Sequence, residues 1–295
     1  MRRPWWLLAF CWPGWAEARP VGDELEVWRR APGLVSEGLR EQRELKLVIL
    51  SDLTQVEQDL FDAQVGSTQV YRGINLADLV ERLPRPEGVD TVNLHFANGM
   101  MIPVALDGEQ LGQVFIATAW KVGGGLDDHF PDVPKKKRAL PDPAPITFGR
   151  NKVVVPDGQH PRVPKAAQPG FSPWFYVDTL TGLEWVASGR WERQFAAPGD
   201  VEVKRGQQVY LGRCQFCHGV AEVGATYGWD LVRPVPLYDY RRPDGLMTHV
   251  KVENAQALER GYRMPPQKDV ERDEIRDLWA WMKAIALAGP NPYGD

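Results

Sequence analysis

Cys214, Cys217 and His218 stand in one Cys-x-x-Cys-His run, Cys214-Gln215-Phe216-Cys217-His218, and that spacing suits the covalent attachment of a c-type haem. Two thiols three residues apart reach the two vinyl groups of one porphyrin, and the adjoining imidazole falls under the iron as its proximal ligand. The same residues could also form a structural disulfide, a thioredoxin-like redox pair or half of a zinc site. Zinc would want a second Cys or His pair at metal-ligand spacing, and a redox pair a βαβ setting; the sequence offers neither. Met264, in Gly261-Tyr262-Arg263-Met264-Pro265-Pro266, lies 46 positions after His218. Its thioether is the expected sixth ligand, because His/Met ligation raises the potential and suits electron transfer. A methionine is more often a core residue, but Arg263-Met264-Pro265-Pro266 is too proline-rich for a helix or strand interior and reads as a loop. Met247, His249 and Met282 are the other candidates for that position.

These ligands need a helix leading into Cys214, a loop that presents Met264, and a closing helix. Residues 200 to about 288 resemble a class I cytochrome c in that order: Gly206 and Tyr210 before the motif, a loop at Pro234 to Leu237, the Met264-Pro265 pair, then Trp279 and Trp281. The resemblance implies an all-α domain whose first and last helices cross, with Gly206 and Tyr210 meeting Trp279 or Trp281. It also implies a backbone carbonyl near Pro234 bonded to the ring N–H of the proximal His, which fixes its tautomer. In place of the family's usual Gly-Pro, this chain has Arg233-Pro234-Val235-Pro236.

The chain has 295 residues, room for about two domains. Arg2 and Arg3, the apolar stretch Trp5 to Trp15 and the tripeptide Ala16-Glu17-Ala18 read as a signal peptide over residues 1–18, cleaved on export to the periplasm. The apolar stretch is too short to span a bilayer, so no transmembrane helix is expected in the mature chain. Cleavage would remove Cys11 and leave only Cys214 and Cys217, so one covalent haem uses every remaining thiol. Lys and Arg number 20 against 24 Asp and Glu over 19–198, and 13 against 14 over 199–295. Neither half has the basic excess of a nucleic-acid binder. The one basic run, Lys135-Lys136-Lys137-Arg138, reads as a solvated loop, or else as a docking patch for an acidic partner.

Residues 19–198 read as one α+β domain, joined by Ala196-Ala197-Pro198-Gly199 to a cytochrome c domain over 199–295. A strand is expected near Leu45 to Leu50, and a short helix over Thr54 to Val65 from Val56, Leu60 and Phe61. Asn75 should cap a helix over Leu76 to Leu83. Thr91 to Phe96 and Met100 to Leu106 should form a surface hairpin with one buried face, through a type I′ turn at Asn98-Gly99. Val114 to Val122 is a further apolar stretch, followed by Gly123-Gly124-Gly125 as a turn or close backbone approach. Residues 127–170 look like a long loop holding short strands at Ile146 to Phe148 and Val153 to Val155, and the aromatics from Phe171 to Val186 complete the core. His95, His129 and His160 show no metal-ligand spacing.

Val70 to Leu79, with its Tyr71-x-Gly73-x-x-Leu76-x-x-Leu79 pattern and the hairpin beyond, resembles the molybdopterin-binding fold of the sulfite oxidase family. That family coordinates molybdenum through a cysteine thiolate as well as the pterin. No cysteine lies in residues 19–198, so no molybdenum is expected. Two functions follow. In the first, the chain transfers electrons through its haem while the N-terminal domain docks a periplasmic redox partner. In the second, the chain is a haem-containing oxidoreductase or a subunit of one. Its N-terminal domain then holds a catalytic or pterin-type cofactor and passes electrons to the haem.

Overall fold

A computed structural model describes residues 24–30, 43–62, 64–65, 67–108, 111–122, 124–127, 130, 151–155, 174, 177–251, 264, 267 and 269–289. The signal peptide, the basic run, the Ile146 to Phe148 strand, His129 and His160 lie outside the described residues. The N-terminal part is rich in β-sheet. Its first sheet runs β2 (Arg43–Ile49), β1 (Glu24–Arg30), β10 (Leu180–Val186), β5 (Thr91–Phe96), β6 (Met101–Ala105). β1 and β10 are parallel and the other neighbours antiparallel. The second sheet runs β3 (Val56–Asp62), β4 (Ser67–Asn75), β7 (Phe115–Val122), β8 (Gly125–Asp127), with β9 (Lys152–Val154) also paired to β7.

One hydrophobic cluster joins the two sheets. Leu25, Val27, Val92, Leu94, Ile102 and Leu183 of the first sheet bury with Ile74, Ile116 and Val153 of the second. Helix α1 (Leu76–Arg82) closes that core with Leu76, Leu79 and Val80, followed by Leu83. Asn75 occupies the cap position, yet its side chain makes no cap hydrogen bond; its amide instead lies 3.5 Å from Asp78.

Residues 56–62 form a strand where a helix was expected. Val56 and Phe61 are exposed, whereas Leu60 and Asp62 are buried at the two-residue period of a strand, so the helical reading joined residues from opposite faces. The inward Asp62 carboxylate pairs with Lys152 at 2.5 Å and accepts from the Tyr71 hydroxyl. This buried network ties three strands together. Gly73 sits where the β4–β7 register shifts, and a Cβ there would lie 2.9 Å from Ala117 Cα, so glycine is required by the close approach.

The β5–β6 hairpin also departs from expectation. Gly99 has φ of 87°, but Asn98 is not among the residues with positive φ, which a type I′ turn requires. Gly99 N–H donates to Phe96 O at 2.9 Å and Phe96 N–H to Met100 O at 3.0 Å, the pattern of a type I turn followed by a glycine bulge. Nor is the hairpin on the surface with one face buried: every residue of β5 but His95 is buried, with Val92, Leu94 and Phe96 in the core between the sheets and Asn93 on the other face bonded to Glu184.

The C-terminal part is helical. It comprises α2 (Ser188–Gln194), α3 (Val201–Val209), α4 (Leu237–Tyr240), α5 (Pro243–Lys251) and α6 (Arg272–Ala288), with a small hairpin of β11 (Gly219–Val220) and β12 (Val223–Gly224). Trp191 and Phe195, which precede the proline-glycine linker read from the sequence, bury with these helices, in one cluster with Tyr210, Trp281 and Ile285.

Candidate functional site

Helix α3 begins at Asp200, whose carboxylate accepts from Glu202 N–H at 3.1 Å and Val203 N–H at 3.4 Å. It crosses α6 at Gly206. A Cβ on Gly206 would stand 2.6 Å from Trp281 Cβ, so only glycine lets the helices meet this closely. One turn on, Tyr210 stacks on Trp281 with ring centroids 4.7 Å apart. Of the two tryptophans considered from sequence, Trp281 therefore makes the crossing contact. The Trp279 indole N–H instead donates to Arg241 O at 3.1 Å, which ties α6 to the segment after α4.

After Tyr210 the helix widens into one π-type turn, Tyr210–Cys214, with Gln215 N–H donating to Tyr210 O at 3.0 Å. Such turns recur at functional sites. This one delivers the motif into a tight bend in which Cys214 O accepts from Cys217 N–H at 3.2 Å and from His218 N–H at 2.9 Å. The bend holds both buried cysteines and His218 within one turn of backbone, Cys214 packed into the helical core and Cys217 into the sheet core. Burial pushes each of the two thiols up to about 12. Thiols that stay protonated at neutral pH do not suit a dithiol redox catalyst, whose attacking cysteine needs a lowered pKa.

His218 is oriented from both sides. Its Nδ1 lies 2.7 Å from the Trp229 carbonyl, and a carbonyl only accepts, so Nδ1 carries the proton and Nε2 keeps its lone pair. Burial holds the imidazole pKa below its usual value, which favours the neutral, ligating form. Gly228 packs against the ring: a Cβ there would lie 2.6 Å from Nδ1 and 3.0 Å from Nε2. Below the bend, the Tyr210 hydroxyl donates to His218 O at 3.0 Å. The acceptor for Nδ1 is thus Trp229 rather than a residue near Pro234. The chain reaches His218 at Gly228-Trp229, since Gly228 N–H donates to Cys217 O at 2.6 Å, and Asp230 then turns it away by accepting from Val232 and Arg233 N–H at 2.8 and 2.9 Å.

Met264 lies in irregular backbone, half-buried against the cluster that contains Cys214, Tyr210 and Trp281. Met247 is half-buried there too, whereas Met282 is wholly enclosed among the helices. His249 is pushed below its usual pKa by burial first, then by Arg241 and His218, so it lies within electrostatic reach of the candidate proximal ligand. Buried Arg213 fastens the segment beyond Met264. Its guanidinium pairs with Asp269 at 3.0 Å and with Glu274 at 3.2 Å.

The donor set suits a c-type haem: two protonated thiols for thioether bonds, one neutral imidazole with its outer nitrogen held and its inner nitrogen free, and a soft thioether packed against the cluster that holds Cys214. Among the described residues there is no group of three or more His, Cys, Asp or Glu that could hold a metal ion by itself. His95 lies apart in the first sheet, 3.0 Å from Glu184 and with its ring tilted against that of Trp28. Sequence reasoning missed Trp229, Gly228 and Arg213; Gly228-Trp229-Asp230 carried only the turn signal of its glycine and aspartate. Among the described residues no helix is long and apolar enough to cross a membrane. No curated protein matches the chain. The family model for cytochrome c matches residues 203–286, from α3 through α6, which supports a C-terminal cytochrome c domain and with it haem-based electron transfer.

Proposed function

We propose that the chain is a periplasmic electron-transfer protein. One haem c is attached through Cys214 and Cys217 and held by His218 and Met264, and residues 19–198 dock a redox partner. The observation that carries this reading is the state of His218, whose Nδ1–H is committed to the Trp229 carbonyl, in the same tight bend as the two buried cysteines. The bound group supplies a reversible one-electron couple. The protein's own residues set its terms. The Trp229 carbonyl raises the basicity of the imidazole. The buried Cys214 and Cys217 thiols would hold the group covalently, and His218 with the Met264 thioether would ligate its iron, a ligand pair that suits outer-sphere electron transfer. Export by residues 1–18 places the chain where c-type haem is attached, and cytochrome c domains commonly lie outside the cytoplasm.

In the second reading, residues 19–198 carry a catalytic or pterin-type cofactor, as their resemblance to the sulfite oxidase family suggests, and feed electrons to the haem. Metal and pterin analysis of the purified protein separates the two, since the first reading expects neither molybdenum nor pterin. The carrier reading is tested at the sixth position. The oxidised wild type should show the far-red sulfur-to-iron charge-transfer band, and Met264→Ala should lose it, lower the potential and bind carbon monoxide when reduced. A wild type without that band that binds carbon monoxide would leave the sixth position open and favour substrate chemistry. A bis-imidazole near-infrared band would assign His249 instead.

A further inference from the structure

The C-terminal motif does not stand clear of the N-terminal sheets. Phe216 and Cys217 bury in the first sheet's own core, with Leu94, Phe96, Met100 and Leu180, while Met101 of β6 buries in the helical core. Two sets of backbone hydrogen bonds join the parts. Met101 N–H donates to Phe216 O at 3.0 Å, between the two cysteines. Thr226 and Tyr227 N–H donate to Gly99 O at 2.8 and 3.2 Å. The contact is tight: a Cβ on Gly99 would lie 2.5 Å from Thr226 Oγ1 and 2.9 Å from both the Thr226 carbonyl carbon and Tyr227 N.

The turn that makes this contact is held from behind. Asp178 accepts from Asn98 N–H at 3.1 Å, Thr179 O accepts from Ala97 N–H at 2.9 Å, and the Asn98 side chain accepts from Met100 N–H at 3.1 Å. In front of it, residues 226–227 lead directly to Gly228, packed on the imidazole, and to the Trp229 carbonyl that accepts from Nδ1. An unbroken run of hydrogen bonds and two covalent steps therefore leads from the N-terminal sheet to the candidate proximal ligand.

We propose that the Ala97–Gly99 turn of the N-terminal domain is a positioning element of the haem site, holding residues 226–229 so that the Trp229 carbonyl takes the Nδ1–H of His218. This rests on the reading of His218 as proximal ligand. Gly99 and Asp178 are the positioning residues. A carbonyl accepting from the Nδ1–H of the proximal His makes the imidazole a stronger donor and favours ferric iron, so pushing the loop away raises the potential. The N-terminal domain then tunes the carrier, and a partner docked on it acts on the potential through the same turn.

The test uses the full chain, matured with haem, as wild type, Gly99→Ala and Gly88→Ala. Gly88 has φ of 74° and nothing within 4 Å of its added Cβ, so its replacement brings the backbone strain without the contact. Expected for Gly99→Ala are a raised midpoint potential and exchange of the His218 Nδ1–H with solvent about tenfold faster, the loss of one ordinary hydrogen bond. Gly88→Ala should change neither. Where Gly99→Ala does not accumulate, Asp178→Ala carries the test with the same signs. A haem-loaded variant with unchanged potential and exchange overturns the inference, as do a fall in potential or an equal response from Gly88→Ala. Absence of covalent haem from the wild type would instead overturn the reading on which it rests.

Discussion

Replacing Gly206 by Ala strikes the helix crossing that carries the motif. A Cβ there would stand 2.5 Å from the Asp277 carbonyl carbon and 2.6 Å from Trp281 Cβ, whereas carbon atoms in ordinary contact are about 3.5 Å or more apart. α3 and α6 must therefore part by about 1 Å, which forfeits about a quarter to a half of the dispersion energy of each atom pair along the seam. The seam includes the Tyr210–Trp281 stack and the bond from Trp281 Nε1–H to Phe195 O at 2.9 Å. Overpacking of this kind costs about 1–3 kcal/mol, and loosening the stack about 0.5–1.5 kcal/mol more. The better helix propensity of alanine offsets about 1 kcal/mol. The net loss is about 2 kcal/mol. Urea unfolding of the full chain, followed by tryptophan fluorescence and Soret absorbance, reads it as a lower midpoint with unchanged slope. Equal or higher stability of Gly206→Ala would refute the reasoning, since only a loose crossing accepts the methyl group.

Arg213→Leu removes the cation shared by Asp269 and Glu274, both of them partly exposed, and should cost about 2 kcal/mol by calorimetry. Arg213→Lys should restore less than half of this, because one ammonium cannot serve two carboxylates in fork geometry. Asp178 gives a pH signature. Burial first, opposed by backbone N–H donors, raises its pKa from 3.8 to about 6. A folded pKa above the unfolded one means a contribution fully present below pH 3.8 and lost as pH rises through about 6. The stability of Asp178→Asn relative to wild type should thus climb by about 2 kcal/mol across that window, reduced from the full shift by partial solvent exposure. Denaturant titrations at stepped pH check it, and a flat difference contradicts it.

The Cys214-x-x-Cys217-His218 run was readable as a candidate because haem attachment would fix both residue type and spacing, and the tight bend that holds the run agrees with that reading. The Gly206 and Tyr210 crossing was legible for a related reason: close helix approach leaves a glycine and an aromatic one turn apart. Trp229 was not legible, because it acts through a backbone carbonyl, which any residue type can supply. Residues 56–62 were misread because exposed Val56 shares a strand face with buried Leu60 while Phe61 lies on the other face, and the three together imitate helical spacing over so short a run. The docking of Gly99 on residues 226–227 joins positions far apart in the chain, and the Asn98-Gly99 pair signalled only a turn. The N-terminal motif Tyr71-x-Gly73-x-x-Leu76-x-x-Leu79 has a plain packing cause: Tyr71 reaches Asp62, Gly73 meets β7, and both leucines fill the core.

The central claim is that Cys214 and Cys217 carry a haem, and covalency tests it most directly. The full chain is made in a host with cytochrome c maturation, run on a denaturing gel and stained for haem peroxidase activity, with intact mass measured in parallel. A stained band of one haem per chain is predicted, and it should be absent from a Cys214→Ala, Cys217→Ala double variant, because thioether bonds survive denaturation and nothing else here does. An unstained wild-type band at the mass of the bare polypeptide would contradict the account.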